Sequence, residues 1–174
     1  MLKDYMRVFI AVEFNDKTKD SIASIRNRIS EYSIAGNYTI KDNLHLTVKF
    51  IGQIEESNIQ LIQDVMKDTV ESIDPFTFII DHMGRFVRKG KSLIWLGLAD
   101  GIEELSMLHG AIDRNLSAHG YPRDKRDFTP HITLGRNVDL TLPFDRLKEL
   151  VTIEPIPIYV DSLTLMESRR INGK

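Results

Sequence analysis

The 174-residue sequence contains no cysteine, which removes disulfides, thiolate zinc sites and cysteine nucleophiles together. It also lacks the run of about 20 apolar residues that a membrane-spanning helix needs. The first segment, "MLKDYMRVFIAVEF", has an unbroken apolar run only from Val8 to Val12. That is shorter than the roughly 7–15 residues of a signal-peptide core, so it reads as a strand. A cytoplasmic protein is expected. Charge of one sign is missing too: the formal net charge is -2, so any nucleic-acid contact falls to local patches rather than to the field of the whole molecule. No low-complexity stretch or long linker interrupts the chain. Its length fits one domain, residues 1–174, of ordinary size or built from two similar lobes.

What is present is 42% hydrophobic and 28% charged, enough for a core and a solvated surface. A strand is expected over Tyr5–Phe14, then a helix capped by Asn15 or Asp16 and running to about Ser33, with Ile22, Ile25 and Ile29 at helical spacing. A polar loop at Gly36–Asn37 leads to a strand ended by Gly52. A second helix follows, with Ile59, Ile62, Val65 and Met66 inward. "PFTFIIDHM" and "SLIWLGLA" read as paired strands around the basic turn "GRFVRKGK". A third helix covers Ile102–Ala118. It is followed by a strand, a short helix near Pro143–Leu150 and one last strand over Ile156–Glu167. Each half thus holds a strand with a His-x-Thr motif beside a long helix. An internal duplication follows, with two antiparallel sheets facing each other across a cleft and helices outside, an α+β fold.

The two motifs are "HLTV" at His45–Val48 and "HITL" at His131–Leu134. Random placement gives about 0.3 His-x-Thr matches in a chain of this composition, before apolar second and fourth positions are required. Side chains alternate along a strand, so His45 shares a face with Thr47, and His131 shares one with Thr133. Leu46, Val48, Ile132 and Leu134 then point to the opposite faces and can be buried. A lone strand histidine is most often a half-buried structural residue; a matched pair beside hydroxyls is not. Zinc needs three or four ligands, and neither motif offers a second one at a suitable spacing, although Asp42 and Asp127 lie nearby in sequence. No metal or cofactor is expected.

Two imidazoles and two hydroxyls suit phosphodiester cleavage. Near pH 6.5 one histidine can be neutral and accept a proton while the other is protonated and donates one. Threonine hydroxyls can donate to the non-bridging phosphate oxygens, and Arg136 adds a planar cation.

These residues resemble the two-histidine (2H) phosphoesterase superfamily. Within it the chain is similar to the bacterial and archaeal 2'-5' RNA ligase / RNA 2',3'-cyclic phosphodiesterase family. The matching stretches, in order, are "RVFIAVEF", "NLHLTVKFIG", "PFTF", "LIWLGL", "FTPHITLGR" and "VDSLTLMESR". The resemblance implies a bilobal α+β fold with a pseudo-two-fold and a central cleft. It implies metal-independent hydrolysis of an RNA 2',3'-cyclic phosphate to a 2'-phosphomonoester. Carried onto this chain, His45 is the general acid protonating O3' and His131 the general base activating water. Thr47, Thr133, Arg136 and Phe50 hold phosphate or base, with a core position as the alternative for Phe50. The implied partner is RNA ending in a cyclic phosphate, bound by a monomer away from any membrane. Other readings remain: another small cyclic nucleotide or a 2'-5' linkage as substrate, with ligation as the reverse reaction, or an RNA-end-binding module without turnover. Relatives continue past "ESR" through a Gly-Pro turn into another strand, whereas this chain reads "INGK".

Two basic patches are candidates for RNA contacts. Arg85, Arg88, Lys89 and Lys91 form the turn between two strands, where lysines also discourage edge pairing. Arg123, Lys125 and Arg126 precede the second motif at the expected cleft mouth, diluted by Asp124 and Asp127. His82, His109 and His119 lack a threonine two residues on and read as structural or surface residues.

Overall fold

The computed structural model describes residues 5–169. The C-terminal departure from the family pattern falls largely on 170–174, outside the described residues. The order is β1 (Tyr5–Glu13), α1 (Asp16–Ser30), β2 (Ser33–Tyr38), β3 (His45–Glu55), α2 (Ile59–Val70), β4 (Phe76–Arg88), β5 (Lys91–Asp100), α3 (Ile102–Ser117), β6 (Ile132–Leu140), α4 (Phe144–Leu150), β7 (Ile156–Val160) and β8 (Thr164–Glu167). Two antiparallel sheets result. One has the order β3-β1-β8, the other β2-β6-β5-β4-β7. The α+β expectation with two antiparallel sheets holds.

The strand patterns explain the layering. Leu46, Val48, Ile132 and Leu134 are all at most 2% exposed, while the intervening His45, Thr47 and Thr133 are half-buried. Each fully buried aliphatic of this size contributes about 1.5–3 kcal/mol relative to exposure, which fixes the register of both motif strands. Asn15 caps α1 by accepting from the Thr18 backbone N–H at 2.9 Å, as its position suggested. The helices cross between lobes. From α1, Arg28 donates to the carbonyls of Thr152 (3.1 Å) and Leu150 (3.4 Å), beside the end of α4. α3 instead meets β3, through Lys49 and Asp113 at 2.7 Å, and meets α2, through Asn115 and Thr69 at 2.8 Å.

The structure corrects several element boundaries. Residues around Gly36–Asn37 form the edge strand β2, paired to β6 with two register shifts, not a loop. Its sequence, "SIAGNY", has no alternation, and Ile34 is 76% exposed, so pairing with β6 rather than pattern makes it a strand. β3 passes through a bulge at Ile51, just before Gly52 (φ +95°), and continues to Glu55. The basic turn is only Lys89–Gly90, with φ of +50° and +74°. It has the double left-handed form that tight hairpins favour, and the strands run on through Arg88 and Lys91. The single last strand is two. β7 pairs with β4 in one sheet and β8 with β1 in the other.

Candidate active site

The two histidines are anchored alike. His45 Nδ1 lies 2.7 Å from the Asn43 carbonyl, and His131 Nδ1 lies 2.8 Å from the Thr129 carbonyl. A carbonyl can only accept, so each Nδ1 carries the proton and each Nε2 is left for chemistry. The backbone two residues upstream thus sets both tautomers. His131 stands immediately before β6 rather than inside it, whereas His45 opens β3 and pairs with Glu13 of β1.

Two cavities interleave the motifs. One, of about 600 Å³, takes Thr47 from the first motif and His131 from the second, with Phe50, Phe86, Lys125 and Arg126. The other, of about 850 Å³, takes His45 from the first motif and Thr133 and Arg136 from the second, with Tyr38. Each histidine thus shares a cavity with the threonine of the opposite motif. Thr47 Oγ1 is also 3.2 Å from His45 Nε2. Burial pushes the His45 pKa down. The Asn43 carbonyl opposes that shift, the cations Arg136 and Lys19 add to it, and Glu13 counters them. The influence of Arg136 reaches His45 from the other motif, another sign that the motifs converge.

Phe50 is 59% exposed, which excludes the core reading. It packs on Phe9 (centroids 5.7 Å), and Phe9 packs on His45 (4.9 Å). Lys125 and Arg126 line the cleft as expected, but Arg123 is engaged elsewhere. Its Nε lies 2.8 Å from Asp113 Oδ2.

That contact belongs to a network the sequence reading missed. Lys49, two residues after Thr47, is 2% exposed. Its ammonium lies 2.7 Å from Asp113, 3.1 Å from Asp124 and 3.4 Å from the Pro122 carbonyl. Burial alone would raise the Asp113 pKa; the hydrogen bonds from Lys49, Arg123 and the Asp124 N–H instead hold it far below the usual carboxylate range. His109 lies 2.9 Å from Asp124, and its ring stacks on Phe128 at 4.4 Å. The first-motif strand therefore pins the segment that delivers His131. His109, Asp113 and Asp124 also lie close enough to hold a metal ion, but the Lys49 ammonium already sits between the two carboxylates. A charged residue at position 49, between the apolar Val48 and Phe50 in the middle of β3, was the available signal. Phe86 and Trp95 were also missed. They lie 6.0 Å and 6.2 Å from His131, edge-on.

Residues 14–172 match the model of the 2'-5' RNA ligase superfamily. The chain belongs to that superfamily. Among relatives of the superfamily member, one from Methanothermobacter thermautotrophicus is 30% identical over 84% of this chain and 78% of its own length. One from Thermotoga maritima is 29% identical over 94% and 87%. Both carry the name RNA 2',3'-cyclic phosphodiesterase. The crystal structure of Escherichia coli LigT complexed with 3'-AMP has the same fold, with a TM-score of 0.75 over 98% of this chain and 92% of that one at 23% identity. No helix among the described residues is long and apolar enough to cross a membrane.

Proposed function

We propose that this superfamily member hydrolyses RNA 2',3'-cyclic phosphate ends to 2'-phosphomonoesters by general acid-base catalysis between His45 and His131. The observation that carries this reading is the cross-pairing of the motifs: each cavity combines a histidine from one with a threonine from the other. The names of the relatives supply the substrate class.

Water attacks the phosphorus and gives its proton to Nε2 of His131, already a lone-pair acceptor because Nδ1–H is held by the Thr129 carbonyl. The P–O3' bond breaks, and O3' takes the proton from Nε2 of His45. The product is a 2'-phosphate with a free 3'-hydroxyl, and the next turnover begins when the proton returns from His131 to His45 through solvent. The free protein holds His45 toward its neutral form. An anionic phosphate against the ring raises its proton affinity, so the acid gains its proton with the substrate. Thr47 and Thr133 donate to the two non-bridging oxygens, and Arg136 adds charge where it accumulates. Phe50 offers a face to the base.

The test is incubation with an RNA ending in a 2',3'-cyclic phosphate, with chelator present, and identification of the phosphomonoester. A 2'-phosphate formed at undiminished rate is expected. A 3'-phosphate, or turnover abolished by chelator, would overturn the mechanism. A parallel 2'-5'-linked dinucleotide shows whether the site also cleaves that linkage.

A further inference from the structure

Beyond His131 the five-stranded sheet continues, and the same face carries rings set over glycines. The register pairs Thr133 with Trp95, Trp95 with Gly84 and His82 with Gly97, so all project to the face that carries Thr133. A Cβ at Gly84 would lie 2.1 Å from the Trp95 ring, and one at Gly97 would lie 2.3 Å from His82 Nε2. Any other residue at either position would lift the rings off the sheet. The rings are contiguous. Phe86 is 5.4 Å from Trp95, and His82 stands edge-on to it at 6.0 Å, its Nδ1 bonded to Asp81. Phe86 is 48% exposed and also lines the cavity holding His131 and Thr47, so the ring surface is continuous with the catalytic cleft. Trp95 Nε1 is covered and has no hydrogen-bond partner among the described residues. Beyond Phe86 on this face come Arg88 and Lys91, paired with each other in register; Lys91 meets Asp139 at 3.6 Å, and Arg88 has no ion-pair partner among the described residues.

We propose that this face, from Phe86 across Trp95 to His82 and Arg88, is a second binding surface that takes the nucleotides preceding the cyclic-phosphate end of a single-stranded RNA. The proposal rests on the reading of the catalytic site given above and adds a location for the upstream strand. Aromatic rings accept any base by stacking, and a nearby cation meets the backbone. β4 lies two strand spacings from β6, roughly 10 Å. That is room for the next one or two nucleotides. A mononucleotide cyclic phosphate held at the two motifs does not extend past Phe86 to His82 and Arg88, so these two residues should distinguish an RNA end from a free cyclic nucleotide.

The experiment compares kcat/KM for a mononucleotide 2',3'-cyclic phosphate and for an RNA decamer bearing the same end, in wild type, His82→Ala and Arg88→Ala. Wild type is expected to prefer the decamer. Each substitution should lower kcat/KM for the decamer about tenfold while leaving the mononucleotide within twofold. Arg88→Ala should also reduce the salt slope of decamer binding by about 0.7. The proposal is overturned if wild type treats both substrates equally, if both fall together, or if neither substitution affects the decamer, which would leave the surface to a protein partner. Should wild type turn over neither substrate, it is the catalytic reading that fails. Fluorescence anisotropy of the labelled decamer then decides the surface on its own, and unchanged affinity in both variants rejects it.

Discussion

The two halves of the site use the same four letters but support them differently. In the first half, His45 opens a strand already paired to β1, its ring rests on Phe9, and Thr47 reaches its Nε2. Burial dominates its proton affinity. In the second half, His131 stands just outside β6, and no hydrogen bond joins it to Thr133 among the described residues. Its position depends on the segment 121–130, whose Asp124 is held by Lys49 of β3 and whose Arg123 is held by Asp113 of α3. One histidine is fixed by its own sheet, the other by an ion network rooted in its partner's strand. A short motif can therefore specify a side-chain set without specifying what holds it.

The largest effect is expected from His45→Ala and His131→Ala, each lowering kcat by about 10²–10⁴-fold on a cyclic-phosphate RNA. Full activity in either would end the two-histidine mechanism. Thr47→Val and Thr133→Val should each cost about 10²-fold in kcat, as loss of a donor to a charge-bearing oxygen does. A rise in KM alone would restrict them to ground-state binding.

Lys49→Met should destabilise the protein by about 3 kcal/mol in a denaturant titration, because it leaves Asp113 buried without its ammonium. Its effect on the histidines should be unequal. In NMR spectra the His131 ring signals should shift or broaden, while those of His45 stay in place. Equal changes in both would contradict the asymmetric support. The smallest effect concerns protonation. In an NMR titration His45 should bind its proton below the ordinary histidine value of about 6.5, and Arg136→Gln should move its titration upward by removing a nearby cation. A depressed His45 pKa means the unfolded chain binds more protons below about pH 6.5, so this contribution is lost as pH falls through that value toward the folded pKa. An unshifted titration in both proteins would show that neither burial nor Arg136 governs this ring.

Much of this was legible in the letters, and the parts that were not share a cause. The motif strands were readable because alternation puts Leu46, Val48, Ile132 and Leu134 in the core and leaves the reactive side chains on the other face. The division of Ile156–Glu167 into two strands was not, because Asp161–Ser162 signals at most a local turn and does not say that the chain changes sheets. β2 was missed for a related reason. Its strand character comes from pairing with a segment about a hundred residues away. Within the site, Thr47 and His131 line one cavity, and His45, Thr133 and Arg136 line another. Lys49 was hidden because its acidic partners lie on α3 and in the segment after it. Phe86 and Trp95 were hidden because rings in strands usually signal core. Only the glycines opposite Trp95 and His82 would have pointed to rings lying over the sheet.

The place of β8 has an implication for synthesis. β1 is the central strand of the sheet that carries His45, and one of its edges is completed only by Thr164–Glu167, far later in the chain. On the ribosome that sheet must wait with an open edge until β8 has emerged. A released chain truncated before residue 164 should be poorly protected from proteases along β1, and one that includes 164–167 should regain protection in one step.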